Sequence, residues 1–569
     1  SLVHQLNDGS LWMHEHIRQC ADAKLMAAPD GPALAHQMRR QHAKWFLGWL
    51  AQSDASLRGT DSRAVRERLT GSFDDLRAAW QWALEHGEWE WASAAVRPFE
   101  WLYRLNGWLN DGVEQFSRAL RQTQTPADRS AQQLRARLLI SAAALRLLTT
   151  DQTSGVALLR EAVALAERSE DALLNALAMS RLGSFLYGRA ESNDEARALF
   201  EKALAATQSD EAQSAADSYE RLLIAAETWR HFNALEFRLG HMPQAEMCAQ
   251  RALDMAAQCD DQILIARCLE SLAIVQMSRH KVNESERLLT RALDISRRLG
   301  MIYQQVNTLD LLAQVADARG DYALAQRYYH ESLALAQESG NRDAELVAHI
   351  NLGISCDQMG DYAQALAHTQ IAVDMLEQIG ASPGHRATTL ANLSLHAHHN
   401  GQHEMALRYA REATALAQQA DLPELEGYAW DFQGHALLEL GQVEGAGQAY
   451  RREKLSQPVL ALETRAGLAR VALRQGSMAE AATWVEPIAA HLLNEGNLHG
   501  AEETLRVYWT TCQALFHNDD PRAEGILRLA VALIQERASR LSDESKRAAY
   551  LNVAAHRRIL EAGLAVQPA

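Results

Sequence analysis

Small residues recur at fixed intervals along most of this chain. In the central part, a small residue is followed four positions later by a residue that is usually larger, and seven positions later by another small one. Four consecutive copies read Ser285-Leu289-Ala292, Ala325-Tyr329-Ser332, Ala365-Thr369-Ala372 and Ala406-Ala410-Ala413. A turn with a polar or glycine centre precedes each copy, as at Gly320-Asp321 and Gly360-Asp361. Two closely packed helices need small residues where their backbones meet, so the pattern predicts helical hairpins repeated in series.

The register extends in both directions at a period of about 40 residues. Its first small position falls at Gly112, Gly155, Ala196, Ala245, Ser285, Ala325, Ala365, Ala406, Ala446, Ala481 and Ala523. The pattern loosens towards the end, where Glu453 and Ile488 occupy the third small position. There are 11 prolines among the 569 residues, and 47% of the residues are hydrophobic. We therefore predict an all-α fold, a right-handed superhelical solenoid of about 11 helical hairpins.

The repeat resembles the tetratricopeptide repeat (TPR) family over roughly residues 93–540. The Trp-x-x-Leu-Gly pattern of the family's first helix corresponds here to Trp229-Phe232-Asn233, Leu309-Leu312-Ala313 and Trp430-Gln433-Gly434. The period departs from the family's usual value of about 34 residues and is similar to that of its longer-helix members. The resemblance implies a recognition surface, and it leaves the ligand open because such repeats serve many functions.

The first 25 residues predict a strand, a tight turn at Asn7-Asp8-Gly9, a second strand and a helix. The segment Trp12–Gln19 is similar to the Met-His-Asp motif in the winged-helix part of STAND signal-transduction ATPases. This resemblance makes residues 1–27 the C-terminal part of a winged-helix domain. It also implies that His14 senses nucleotide by contacting the phosphates of bound ADP, with Glu15 in place of the usual Asp. The alternative is that these residues form only the polar first turn of a helix.

Residues 28–92 are predicted to form a helical junction between the winged-helix part and the repeats. The segment Phe73–Leu84 resembles the helix that joins the ATPase core to the repeats in bacterial STAND regulators. A group of tryptophans from Trp45 to Trp108 predicts either a tightly packed junction or an aromatic docking face for another domain. The TPR superhelix then spans 93–540, and a C-terminal helix and tail span 541–569. The chain begins with Ser1 and not with methionine, so we expect it to be part of a longer protein.

The net charge and the cysteine content limit which partners and which cellular compartment we expect for this chain. A net charge of −16 repels phosphate backbones, so we expect no direct nucleic-acid binding. The 6 cysteines show no Cys-x-x-Cys spacing and are typical of free thiols in a reducing cytoplasm. No run of 18 apolar residues exists, which predicts no membrane span.

The sequence carries no recognisable catalytic constellation. It lacks a phosphate-binding GxxxxGK[ST] loop, HExxH, GxSxG and zinc-type Cys/His spacing. His396, His399 and His403 would share one helical face, but they adjoin an ordinary repeat turn, so we predict no metal site. We therefore expect no enzyme activity and no cofactor in this chain, whereas ATP or ADP would bind to the longer parent protein, an expected NTPase.

The TPR resemblance also implies where an effector would bind. In that family the first helix of each hairpin lines the inner wall, and the positions that flank the Leu-Gly pair point towards it. The corresponding candidates are Arg230, Arg267, Glu270, Asp310, Gln314, Asp317, Asp357, His398, His399, Tyr428, Asp431 and His435. We expect charge reversal at Asp317, Asp357 and Asp431 to weaken the effector response with little effect on stability, as for exposed sites.

Two functional hypotheses from different classes follow. In the first, the chain is the sensor arm of a STAND ATPase, where an effector, a small molecule or a protein, controls nucleotide-dependent activation and oligomerisation. This hypothesis includes intramolecular contact with an ATPase domain and, by family analogy, a transcriptional output. In the second, the chain is a constitutive TPR scaffold for protein–protein interaction. An enzyme in its own right is a third and weaker alternative.

Overall fold

A computed structural model describes most of the chain. The described residues are 3–5, 11–13, 15–124, 128–147, 155–187, 192–208, 215–378, 381, 383–452, 458–495, 498, 501–541 and 543–566. Within them the chain forms one two-stranded sheet and 29 α-helices. The predicted all-α, TPR-like repeat fold is therefore confirmed, with a short N-terminal hairpin added to it.

The N-terminal hairpin pairs β1 (Val3–Gln5) antiparallel with β2 (Leu11–Met13), and α1 (Glu15–Ala27) follows. Val3 lies opposite Met13 in the register. The predicted order of strand, strand and helix is thus present. The predicted nucleotide sensor, His14, lies outside the described residues, and the assignment to a winged-helix domain stays a prediction.

The junction is helical, as predicted, and most of its aromatic side chains are packed inside it. It contains α2 (Gly31–Gln52), α3 (Asp54–Arg58), α4 (Ser62–Gly71) and α5 (Phe73–Glu85). The indole of Trp80 is buried and meets the ring of Phe99 edge to face at 5.3 Å. Trp45 is the exception, with 61% of its surface exposed. The junction therefore has a core of its own, and this core continues into the first repeats.

Eleven helical hairpins follow in the described part of the chain, as the period predicts. The first five pair α6 (Trp89–Leu105) with α7 (Leu109–Gln122), α8 (Arg129–Leu147) with α9 (Gly155–Arg168), α10 (Ala172–Leu186) with α11 (Asn193–Thr207), α12 (Ala215–Arg238) with α13 (Met242–Gln258), and α14 (Gln262–Ser278) with α15 (Val282–Leu299). The other six pair α16 (Ile302–Arg319) with α17 (Tyr322–Glu338), α18 (Arg342–Gln358) with α19 (Tyr362–Gln378), α20 (Pro383–His399) with α21 (His403–Gln419), α22 (Pro423–Glu439) with α23 (Val443–Tyr450), α24 (Pro458–Arg474) with α25 (Met478–Glu495), and α26 (Thr504–Phe516) with α27 (Arg522–Ser539). The short helices α28 (Glu544–Asn552) and α29 (Ala554–Val566) end the described chain.

The small positions of the repeat are where the two helices of a hairpin meet. All eleven first small positions lie on second helices and are buried. At Gly155, a Cβ atom would stand 2.3 Å from the ring of Phe185 on the next first helix, so glycine is required there. Small side chains let the helix backbones approach, and this approach sets the repeat.

The repeat turns use left-handed glycines and aspartate caps. Gly320 has φ +76°, a backbone conformation that residues other than glycine rarely adopt. Its N–H donates to the carbonyl of Asp317 at 2.7 Å. The carboxylate of Asp321 then accepts the N–H of Leu324 at 3.1 Å, which caps α17. The Gly-Asp-Tyr motif thus ends one helix and begins the next.

The chain divides into two compact units, Ser1–Gln304 and Gln305–Ala569. In the first unit, successive first helices contact one another from α6 to α14. In the second unit they do so from α18 to α26. No helix in the described residues is long and apolar enough to cross a membrane.

Candidate functional site

The twelve predicted effector residues all lie on first helices, and they fall into two groups. Arg230 belongs to α12, and Arg267 and Glu270 belong to α14, all in the first unit. The remaining nine lie on α16, α18, α20 and α22 in the second unit. The two groups have different surroundings, so each unit is described separately.

In the first unit, five arginines gather around Glu227 on α12. We call this surface the arginine face, and it consists of Arg58, Arg104, Arg181, Arg230 and Arg267. Arg181 donates to the carboxylate of Glu227 at 2.7 Å. The surrounding arginines overcome burial and lower the pKa of Glu227 to about 2. Glu227 is therefore ionised at any physiological pH.

Three of the five arginines have a carboxylate of their own. Besides Arg181 with Glu227, Arg58 lies 2.6 Å from Asp261, and Arg104 lies 2.7 Å from Glu100. The guanidinium groups of Arg58 and Arg104 lie 4.8 and 4.9 Å from the centroid of the Trp101 indole. Such buried pairs keep the charges compensated and the side chains in place.

Arg230 and Arg267 are different. Within the described residues, no carboxylate oxygen lies within 4.0 Å of either guanidinium group. Arg230 instead points at the ring of His231, with Nη2 at 3.1 Å from Nε2, and its buried Nε has no hydrogen-bond partner. The charge of Arg230, followed by burial, lowers the pKa of Arg267 to about 9. Both side chains are half-buried, so solvent reaches them.

A small cavity of about 30 Å³ adjoins the arginine face. Its lining includes Arg58, Arg181 and Glu227 together with Trp101 and Ser141. Ser141 Oγ donates to Glu100 at 2.6 Å, which satisfies one polar group of the lining. The cavity is large enough for about one or two water molecules, so it is not itself a pocket for a metabolite.

Glu270, the third candidate of the first unit, is not available on the surface. Its side chain is buried, and its carboxylate accepts a hydrogen bond from Nε2 of Gln304. Its expected role in effector binding stays a prediction.

In the second unit, the first helices surround a buried carboxylate that arrives from far along the chain. Glu503 directly precedes α26, and its oxygens face five side chains from α20, α22, α24 and α26. This Glu503 cluster consists of Glu503 with His398, His399, His435, Arg470 and Arg506. Three of the predicted effector residues are thus brought together, but around a residue of the same chain.

The histidines of the Glu503 cluster have opposite charge states. Burial opposes protonation of His399, but the carboxylates of Asp357 and Glu503 raise its pKa to about 10. His399 therefore donates through Nδ1 to Asp357 at 2.8 Å and through Nε2 to Glu503 at 3.0 Å. Burial lowers the pKa of His398 and of His435 well below its usual value. The guanidinium of Arg506 adds to this effect at His398, whereas the carboxylate of Glu503 opposes it at His435. These two are neutral, and each accepts a hydrogen bond from an arginine, His398 from Arg506 and His435 from Arg470.

A second buried carboxylate, Glu463 on α24, fixes the start of α26. Its two oxygens accept the backbone N–H groups of Glu502 at 3.0 Å and Glu503 at 2.8 Å. Burial and the neighbouring carboxylates of Asp431 and Glu503 raise the pKa of Glu463 well above its usual value. Asp431 in turn accepts a hydrogen bond from Thr464 Oγ1 at 3.1 Å.

Asp431, His435 and Glu463 also lie close enough to hold one metal ion, with one ligand atom each within 4.8 Å of the others. Backbone and hydroxyl donors already engage the two carboxylates. The guanidinium of Arg470 also lies 3.1 Å from Nδ1 of His435. All three residues thus already have contacts within the protein.

The C-terminal helices also contact the earlier repeats of the second unit. Lys546 Nζ donates to Gln326 Oε1 at 2.6 Å, and the guanidinium of Arg540 donates to the carbonyl of Arg319. Tyr322 belongs to the same hydrophobic core as Tyr550. The C-terminal part of the chain therefore contacts the end of α16 and the first half of α17.

These contacts correct the expectation that Asp317, Asp357 and Asp431 are exposed. Asp431 is 3% exposed. Asp317 accepts hydrogen bonds from Tyr329 and Ser355, each at 3.2 Å, and Asp357 is paired with His399. The expectation was wrong because the sequence places these residues on the first-helix face but does not show what covers it.

The other candidates of the second unit are isolated. Asp310 is buried, and burial raises its pKa to about 6. Gln314 is exposed, and Tyr428 is half-buried. No pattern in the sequence singled out Glu227, Glu463, Glu503 or Arg506. Each is a charged residue at a position that the repeat pattern predicts to be buried. This mismatch can be recognised only when the positions of the helices are known.

Comparison with known proteins supports the repeat and leaves the role open. The tetratricopeptide repeat family model matches residues 304–378, which span most of α16 and all of α17 to α19. The solved structures that resemble the chain include the apo form of RapI, with 17% identity, a TM-score of 0.42, and coverage of 72% of this chain and 98% of that one. They also include aspartyl phosphate phosphatase F from Bacillus subtilis (14% identity, TM-score 0.41, 67% and 94%) and yeast Tom70 (14%, 0.37, 80% and 95%). A search of curated proteins gave no sequence match. The chain is thus a TPR-like helical repeat protein, with a TPR match in its middle.

Proposed function

We propose that this chain is the effector-recognition arm of a STAND-type signal-transduction ATPase, and that the effector binds to the arginine face of the first unit. The observation that carries this proposal is the pair Arg230 and Arg267. They are half-buried guanidinium groups without a carboxylate partner in the described residues, in a chain of net charge −16. A compensating group from outside the chain would relieve their repulsion.

The second unit has a different part in this proposal. Three of its candidate residues, His398, His399 and His435, contact Glu503 at the start of α26, and in this proposal they organise the unit and leave the effector to the first unit. The arm itself would perform no reaction and hold no cofactor. ATP or ADP would bind to an ATPase domain of the longer protein, with which the arm makes an intramolecular contact in the cytoplasm.

The signal in this proposal is a population shift. An effector that binds the arm more tightly in the active conformation than in the resting one favours the active one by that difference in affinity. In this proposal the active state is the ATP-loaded, oligomerising one, and the output is transcriptional regulation, by analogy with bacterial STAND regulators. The resemblance of the Trp12–Gln19 segment supports this part of the proposal.

The test is a thermal-shift screen of the 569-residue chain against a metabolite library and against lysate fractions separated by size. We expect a small molecule that raises the Tm in proportion to the logarithm of its concentration. The Arg267→Gln variant should lose this shift, whereas Arg287→Gln, an exposed arginine of the same unit, should keep it. Stabilisation by the macromolecular fraction alone, unaffected by Arg267→Gln, would contradict the proposal and favour a constitutive scaffold.

A further inference from the structure

Most arginines in and around the arginine face are paired with a carboxylate of the same chain, and two have no such partner among the described residues. The buried arginines of this face occur with matched carboxylates, and the same holds for their neighbours Arg97, with Asp54, and Arg137, with Glu220. Five guanidinium groups therefore have a carboxylate partner in the described part of the chain, and Arg230 and Arg267 do not. The charge of Arg230 is also the largest influence on the pKa of Arg267. The imbalance is confined to one place between α12 and α14.

Two adjacent guanidinium groups of equal charge repel each other, and partial burial strengthens that repulsion because less water screens it. The chain offers them little relief. Glu227 is the carboxylate that most strongly affects Arg267, but its oxygens are engaged by Arg181 and Arg58. A neutral imidazole, His231, is the group that contacts Arg230, and burial keeps the pKa of His231 well below its usual value.

We infer that Arg230 and Arg267 form the binding site for a small oxyanion, a carboxylate or a phosphate group carried by the effector. Guanidinium groups bind such anions in pairs of parallel hydrogen bonds, and two of them from neighbouring helices can hold one anion from two sides. This inference rests on the proposed function and adds the chemical class of the ligand.

The position of the pair fits a ligand that enters from solvent. Arg230 and Arg267 are half-buried, whereas Arg58 and Glu227 are buried. The Phe200 ring stacks on His231, parallel to within 8°, and holds the imidazole in place beside Arg230. The anion would thus be bound at the solvent-accessible part of the arginine face, with the rest of the ligand directed outwards.

The test uses inorganic phosphate and succinate as probes on the full 569-residue chain, at constant ionic strength set with chloride. We expect at least one of them to raise the Tm with saturation, and the apparent Kd to weaken about tenfold or more in Arg267→Gln and in Arg230→Gln. Arg287→Gln, which removes an exposed arginine on α15, is the matched control and should leave the Kd unchanged. Phosphate alone, or succinate alone, identifies which oxyanion the site prefers.

A structural effect of the variants is separable from a binding effect. Removing one charge of a repelling pair should keep or raise the Tm in buffer without either anion, so a fold defect would itself oppose the inference. Arg267→Lys keeps the charge and loses the planar fork, and it should bind the anion more weakly while its Tm without anion stays near that of the parent.

Two results would overturn the inference. One is that neither anion stabilises the chain beyond chloride at the same ionic strength. The other is that Arg267→Gln and Arg230→Gln bind as well as the parent. If the anions fail but a neutral effector is found in the screen, the oxyanion site is wrong while the proposed recognition function stands. If both fail, the proposed function fails as well.

Discussion

His399 donates a hydrogen bond through Nε2 to Glu503 at 3.0 Å, across 104 residues of sequence. A carboxylate that far along the chain reaches the first-helix face of the second unit and balances a protonated histidine and two arginines. Contacts in a solenoid normally join neighbouring repeats. This pair shows that the end of the chain is part of the interior of the second unit.

The Glu503→Gln variant should be strongly destabilised. It leaves His399, Arg470 and Arg506 around a neutral amide in a buried place, and breaking a buried ion pair costs about 3–5 kcal/mol. The free energy of unfolding from urea titration measures the effect. Glu444→Gln, an exposed acid on α23, should change it by no more than about 0.5 kcal/mol. A similar small change in Glu503→Gln would mean that the cluster does not hold α26.

Stability should fall as pH rises above neutrality, because of His399. Its pKa is raised to about 10 in the folded chain, above the usual value for histidine of about 6.5. Its stabilising contribution is therefore complete below about pH 6.5 and is lost as the pH approaches 10, by roughly 5 kcal/mol. His399→Gln should show a flatter dependence of the unfolding free energy over this range. Equal slopes in the parent and the variant would argue against a charged His399.

Asp317 should make the free energy of unfolding depend on pH in a lower range than His399 does. Burial raises its pKa to about 7, so the unfolded chain releases this proton earlier than the folded one. The free energy of unfolding should consequently fall between about pH 4 and pH 7, by roughly 2–4 kcal/mol. Asp317→Asn should remove that part of the slope, whereas Asp374→Asn, at an exposed position on α19, should leave it intact. A parent slope that survives in Asp317→Asn would assign the effect to other acids.

Tyr450 requires glycine on both sides. A Cβ atom at Gly434 or at Gly467 would lie 2.5 or 2.6 Å from its ring. Gly467→Ala should therefore destabilise the second unit by about 1–3 kcal/mol through overpacking. Gly445→Ala is the control, because the nearest atom to its Cβ is 3.7 Å away and contact there is ordinary. Equal stability of the two variants in thermal unfolding would show that the ring of Tyr450 can move aside.

In the full-length protein, His14→Ala should loosen ADP retention and give activity without signal, if His14 contacts the nucleotide as the STAND resemblance implies. The ADP content of the purified protein and its basal activity are the two measurements. His16→Ala, two residues later, is the control. Unchanged ADP content together with unchanged basal activity would remove the nucleotide-sensor role of His14.

The repeat could be predicted from the sequence because its cause is local. A small residue such as Ala325 is buried wherever a second helix meets its partner, and this requirement recurs every hairpin. The site could be predicted only in part. Arg230 and Arg267 follow from their place on first helices, whereas the burial of Asp431 depends on Glu463 and Glu503, which pack there from α24 and from the start of α26.

The connection between Lys546 and Gln326 spans 220 residues, and it changes the order in which the second unit can fold. Repeats with only local contacts can form one after another as the chain is made. Here the buried positive charge of His399 on α20 contacts Glu503 only after Glu503 has been synthesised. Because closing such long loops is slow, the last step of folding in this unit should be the docking of its end, and not the formation of its repeats.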